Sequence, residues 1–194
     1  MASKLEELFH KGVSYEQFVE KASTRQDFQW FYDSTFVDDD RREFLRALDR
    51  QMNILVVATH WCVDCQANVP VIAKIAHSSP AIDLRIINRD DHPDFMDGYL
   101  TNGGMKIPLC LMLSSDFCEV ERWVERPTEA YRLMHELTVQ GLSDDELYAQ
   151  FKRRCRSTDV IEDAQAELLH HVERTQLIML TSRRLAERGA TVTA

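Results

Sequence analysis

A chain of 194 residues, 44% hydrophobic and 28% charged, has the length and balance of one globular domain with a substantial core. Its net charge of −9 argues against a generic partner of nucleic acid or of an anionic membrane, both of which favour basic surfaces. No apolar run reaches the length of a membrane span.

The N-terminal stretch lacks the basic-then-apolar pattern of a secretory signal, which predicts a reducing, cytoplasmic setting. The first fifty residues read as helical. Ser14 with Gln17 makes a capping box, and Val13 with Phe18 the hydrophobic staple around it. A further helix is expected from Asp39 or Asp40 to Arg50, burying Phe44, Leu45 and Leu48. The run Asn53-Ile54-Leu55-Val56-Val57-Ala58 has no polar alternation, as in a strand covered on both faces. A helix from Cys62 to about Ser78 follows. Strands are then expected at 81–87, 109–113 and 118–125, the last with alternating faces. A short helical piece at 93–100 and a Gly-rich loop at 101–106 separate the first two of these.

From Thr128 onward the pattern is helical. Gly141 closes one helix, and Ser143 with Glu146 opens the next with a second capping box. A last helix is expected over roughly 159–188, ending before Gly189. Its apolar positions include Ile161, Leu168, Val172, Leu177, Met179 and Leu180. Such spacing is most often that of a helix packed on its own domain, but at about 45 Å this one exceeds what a small domain needs, which leaves room for pairing with a second copy or with a partner. The strand–helix–strand unit makes its two strands parallel, and the short 114–117 connection makes the last two a hairpin. The fold class is therefore α/β, with one mixed four-stranded sheet flanked by helices and extra helices at both ends. The divisions expected are 1–52, 53–140 and 141–194.

Thr59-His60-Trp61-Cys62-Val63-Asp64-Cys65 lies where the first strand hands over to a helix. Positions i and i+3 share a helix face at about the spacing a disulfide needs. The unpaired N–H groups of a first helical turn favour a thiolate at Cys62. Three readings fit such a pair: a redox centre, half of a metal site, or two core thiols. A structural zinc calls for a second close pair of ligands. Cys110 and Cys118, eight apart, do not make one; both are expected to be buried thiols, and Cys155 to be neutral. Pro70 falls inside the helix, and Ile107-Pro108 is a candidate cis bond.

Taken together, Trp61-Cys62-x-x-Cys65, the helix proline Pro70, and Ile107-Pro108 before a strand hairpin make the chain resemble the thioredoxin family over about residues 53–140. The resemblance implies a thiol–disulfide oxidoreductase without bound cofactor or metal. Cys62 would be the exposed nucleophile, Cys65 the resolving thiol, and Cys62–Cys65 the redox disulfide. Pro108 would face the pair, Ile107 would offer its backbone to an extended substrate, and Trp61 would pack alongside. A disulfide-containing protein or small thiol is the implied substrate, with a separate electron donor.

Departures are visible as well. Val56 stands where reductases of the family often carry a buried acid. Leu109 replaces a common Thr, and the inner dipeptide is Val63-Asp64. Asp64 and His60 are the residues expected to tune the pair. In mostly aqueous surroundings, an Asp64 carboxylate about 6 Å from Cys62 would oppose its ionisation by somewhat under 1 kcal/mol. The helix terminus favours ionisation by about 0.3–1 kcal/mol, so the two nearly cancel. The rival reading is a non-catalytic interaction protein whose pair only senses redox state.

Overall fold

The apolar run at the middle of the chain forms β1 (Met52–Ala58), buried at every position. In this computed structural model, which describes residues 3–187, β1 is an inner strand of a four-stranded sheet of order β2-β1-β3-β4. β2 (Ile82–Asn88) runs parallel to it, while β3 (Leu109–Ser114) and β4 (Glu119–Val124) are antiparallel additions on the other side. Burial on both faces explains why β1 and β3 carry unbroken apolar runs. β4, by contrast, does not alternate cleanly. Only Trp123 is fully buried there, and its indole N–H donates to Glu167 at 2.8 Å.

The helix after β1, α5 (Val63–His77), is apolar nearly all round because it is covered nearly all round. It contacts β1 and β2, with α3 (Arg25–Ser34) along one flank and α9 (Thr158–Leu180) along another. α9 also crosses β3 and β4. The remaining N-terminal helices are α1 (Lys4–Lys11), α2 (Tyr15–Glu20) and α4 (Asp39–Arg46); α1 and α2 pack on β2. A short α6 (Pro93–Met96) follows β2, α7 (Thr128–Thr138) and α8 (Asp144–Arg154) follow β4, and α10 (Arg183–Glu187) comes last.

Local signals act as expected at several ends. Both capping boxes form, at Ser14 with Gln17 and at Ser143 with Glu146. Gly141 takes φ +67° after α7, a conformation that favours glycine.

Two helices stop sooner than their patterns predict. α4 ends at Arg46, and the Arg50 backbone is held instead by Gln176 of α9, through N–H to Oε1 at 3.0 Å and Nε2 to the carbonyl at 2.8 Å. α9 ends at Leu180 because Thr181 bonds back to the Leu177 carbonyl at 2.9 Å and Ser182 accepts from the Leu185 N–H. At 23 residues it spans about 35 Å. The expected end at Arg188 and Gly189 lies outside the described residues.

The terminal helices share the core rather than sitting apart from it. Leu8, Phe9, Phe18, Phe28 and Leu45 join the residues of the sheet, as do Leu168, Val172 and Met179 of α9. Lys152 of α8 pairs with Asp27 of α3 at 2.8 Å, and Arg41 of α4 with Glu162 of α9 at 2.8 Å.

The α1–β2 contact gives a direct test. Val13 bridges Ile86 by two backbone bonds of 2.9 Å, and a Cβ on Gly12 would lie 2.7 Å from the Arg85 Cβ. Gly12→Ala should therefore lower unfolding stability by about 1–3 kcal/mol in a urea titration; an unchanged midpoint would contradict this close approach.

Candidate active site

Cys62 is the N-cap residue of α5, with extended backbone at φ −75° and ψ 124°. Its sulfur accepts the Cys65 N–H at 3.4 Å, so it occupies the position a serine oxygen takes at other helix starts. When protonated, Cys62 Sγ donates to the Ile107 carbonyl at 3.6 Å. The Ile107–Pro108 bond is cis. The chain thus gathers Cys62, Cys65 and Ile107 around one sulfur, with Pro108 next in sequence.

The two thiols have unequal surroundings. The Cys65 thiol's hydrogen bond holds Cys62 below the ordinary cysteine range, helped by the Cys65 and Asp64 backbone N–H groups and opposed by burial and the Asp64 charge. Cys65 is fully buried, and burial raises it well above that range, reinforced by its interaction with Cys62. Beneath them the sheet is apolar. Val56 pairs with Cys110 of β3, and burial pushes the Cys110 thiol up to about 12.

The turn carrying the pair is clamped by the N-terminal helices. The His60 carbonyl accepts from Thr24 Oγ1 at 3.0 Å and from Gln66 Nε2 at 2.9 Å. The His60 ring packs at a tilt against the Phe18 ring, with centroids 4.2 Å apart and Nε2 2.9 Å from the Phe18 carbonyl, and lines a different pocket from the one at Cys62. It is neither a free surface histidine nor a neighbour of the sulfurs within the Cys62 pocket. Trp61 is 61% exposed; its indole N–H donates to Asp90 at 3.3 Å, and the Arg89 guanidinium lies 4.8 Å from its ring.

Asp64 departs most from expectation. It does not sit in water but is only 7% exposed, and Oδ2 accepts from Arg126 Nη2 at 2.7 Å. Arg126 is itself buried and donates through the same nitrogen to Glu125 at 2.9 Å, while its guanidinium lies 4.8 Å from the Phe151 ring of α8. Burial outweighs the pull of Arg126 and pushes the Asp64 carboxyl up to about 7.

Glu125 is held in the left-handed region at φ +67° by several bonds at once. Its N–H donates to the Pro108 carbonyl at 2.8 Å, and its own carbonyl accepts from Asn68. Its carboxylate takes Lys106 at 3.0 Å and the Tyr131 hydroxyl at 2.6 Å; the tyrosine bond is the leading pull that lowers Glu125. Cys62, Asp64, Lys106, Arg126, Trp61 and Tyr148 all line one pocket of about 380 Å³.

Sequence reasoning missed Lys106, Glu125, Arg126, Tyr131 and Tyr148. The one local signal was Glu125-Arg126-Pro127, two opposite charges at the end of a strand. Of the remaining cysteines, Cys155 is buried with Phe151, and burial pushes it up to about 12. Cys118 is exposed, not buried as expected, because it lies in the turn between β3 and β4. Among the described residues, no three His, Cys, Asp or Glu side chains gather as metal ligands.

The family profile described as Thioredoxin matches residues 12–140. The chain belongs to the thioredoxin family. Two solved structures resemble this thioredoxin-family chain. One is a protein of unknown function from Pseudomonas aeruginosa, 28% identical, with a TM-score of 0.66 over 89% of this chain and 98% of that one. The other is an HIV epitope-scaffold, 25% identical, with a TM-score of 0.64 over 86% of this chain and 96% of that one. Both likenesses reach beyond residues 12–140, so part of the terminal helical additions recurs in them. No curated protein matches the chain.

The Asp64 carboxyl sets a stability–pH relation of known sign. Raised from 3.8 to about 7 on folding, it holds its proton in the folded chain after losing it in the unfolded one. Its contribution is therefore fully present below the ordinary value and is lost as pH rises through about 7. Denaturant titrations should show the wild type losing stability relative to Asp64→Asn between pH 4 and pH 7. A difference that stays constant, or that moves the other way, would place the carboxyl at its ordinary value.

Proposed function

We propose that this chain is a thiol–disulfide oxidoreductase that acts through the Cys62–Cys65 pair. The unequal ionisation of the two thiols carries the reading: one sulfur caps a helix and favours the thiolate, the other is buried and stays protonated. Cys62 attacks a substrate disulfide and forms a mixed disulfide. Cys65 then attacks Cys62, the Cys62–Cys65 bond closes, and the substrate leaves as a dithiol. Two electrons pass from the enzyme to the substrate, and a separate electron donor restores the thiols.

Trp61, Ile107 and Pro108 shape the approach to Cys62, and the adjoining pocket receives the segment that flanks the substrate's sulfur. A disulfide-bearing protein, or the disulfide form of a small thiol compound, is the proposed substrate class. The cytoplasm is the proposed compartment, since five cysteines, an odd number, do not suit a framework of structural disulfides. No helix of the described residues is long and apolar enough to cross a membrane. Pairing of two copies through α9 would rest on Leu177, Ile178 and Leu180, which are exposed, because Ile161, Leu168, Val172 and Met179 are buried against the chain's own domain.

The test is reduction of insulin by the dithiol protein, followed as turbidity. The wild type should be active and Cys62→Ser inactive. Cys65→Ser should accumulate a mixed disulfide visible by intact mass. A wild type no faster than free dithiothreitol alone would remove the catalytic reading and leave a redox-sensing interaction protein.

A further inference from the structure

Cys62 fixes what can occupy the pocket beside it. A disulfide attacked there sets its sulfur on Cys62 Sγ, so the residues flanking that sulfur meet the space that Trp61, Met105 and Tyr148 also line. These three come from separate parts of the chain: the turn before α5, the loop before β3, and α8. All three are large and exposed. Exposed apolar side chains that converge on one place mark an interaction surface, and aromatic residues and methionine are enriched at such surfaces.

The charged groups of the same pocket are committed to partners. Arg126 pairs with Asp64 at 2.7 Å and with Glu125 at 2.9 Å, and Lys106 pairs with Glu125 at 3.0 Å. Arg89 pairs with Asp90 at 2.7 Å and lies over the Trp61 ring. The uncommitted lining is therefore apolar. At about 380 Å³ the pocket has room for a large side chain beside the sulfur.

Tyr148 is the member of this lining that the fold does not otherwise use. Trp61 is tied to Asp90, and Tyr131 to Glu125. Tyr148 is 53% exposed, and among the described residues it makes no hydrogen bond and no ring contact. Its place is nevertheless fixed. Phe151, three residues on and so on the same face of α8, is fully buried in a cluster with Phe31 of α3 and Ala67 of α5. Lys152 ties the same helix to Asp27. α8 lies beyond the residues 12–140 that the family profile matches, so Tyr148 is a contribution of the C-terminal addition.

We propose, on the oxidoreductase reading above, that Tyr148 is a specificity-determining residue. With Trp61 and Met105 it takes an aromatic or large aliphatic side chain next to the reacting cysteine of an extended protein segment. The two rings supply rigid contact area, and the thioether of Met105 adapts to the shape presented. The preferred substrate is thus an apolar, cysteine-bearing stretch of a protein and not a small polar disulfide.

Three homodimeric peptide disulfides of equal charge test this: blocked Gly-Cys-Gly, Phe-Cys-Gly and Gly-Cys-Phe. The reaction read is one protein dithiol with one peptide disulfide, giving the Cys62–Cys65 disulfide and two peptide thiols, resolved by chromatography. Each rate constant is divided by that for dithiothreitol with the same peptide, which removes intrinsic reactivity. A Cys118→Ser background takes away the exposed third thiol. At least one phenylalanine peptide should react about 10-fold faster than the glycine peptide. Tyr148→Ala should cut that preference about 5-fold, and Tyr148→Phe should keep it. Equal normalised rates for all three peptides with the parent protein would overturn the proposal without any variant. A preference untouched by Tyr148→Ala, or lost in Tyr148→Phe, would overturn the role of the Tyr148 ring. Failure of the parent to reduce any of the three peptides is a different result; it removes the oxidoreductase reading, and the specificity falls with it.

Discussion

The chemistry proposed for this chain depends on a sulfur doing the work of a helix cap. Ser3, Ser14, Asp38 and Ser143 close the N-termini of α1, α2, α4 and α8 with side-chain oxygens that accept backbone N–H groups. At α5 that acceptor is Cys62 Sγ. An oxygen cap is satisfied by its bond, whereas a sulfur in the same place is also drawn toward its anion, because the N–H groups and the helix dipole favour negative charge there. The partner sulfur one turn along is surrounded by apolar side chains and is driven the opposite way. One element of secondary structure therefore makes two identical side chains chemically different.

Holding that arrangement takes contributions from distant parts of the chain. Thr24 and Phe18 fix the turn before Cys62 from the N-terminal side, through the His60 carbonyl and ring. Phe151 of α8 covers Arg126 from the C-terminal side, and Arg126 in turn pairs with Asp64 and Glu125. Charged groups this deeply buried are tolerated where an opposite partner lies within hydrogen-bond distance; removal of Arg126 would leave Asp64 without its cation, while Glu125 would keep Lys106. The terminal helices are thus part of the walls of the site, which gives them a structural role.

What the sequence disclosed, and what it hid, follows the range of the interactions. The β1 run, the boxes at Ser14 and Ser143 and the turn at Gly141 depend on neighbours within a few residues, and they were legible. So were the cysteine pair and the Ile107–Pro108 bond. The premature end of α4 was not, because it is set by Gln176, 126 residues from Arg50. Asp64 looked like a solvated carboxylate because its partner, Arg126, is 62 residues away and belongs to no pattern near the motif. The end of α9 was closer to view: Thr181-Ser182 carries the side chains that stop it, but the apolar periodicity across them suggested continuity.

The central claim is that the two thiols ionise far apart. Its most direct measurement is the pH dependence of alkylation at each cysteine by iodoacetamide, resolved by peptide mass spectrometry on the fully reduced protein. The account predicts that Cys62 reacts with a midpoint below that of an unstructured cysteine, while Cys65 stays unreactive until well above it. Equal midpoints for the two, or a Cys62 midpoint at or above the ordinary value, would contradict it.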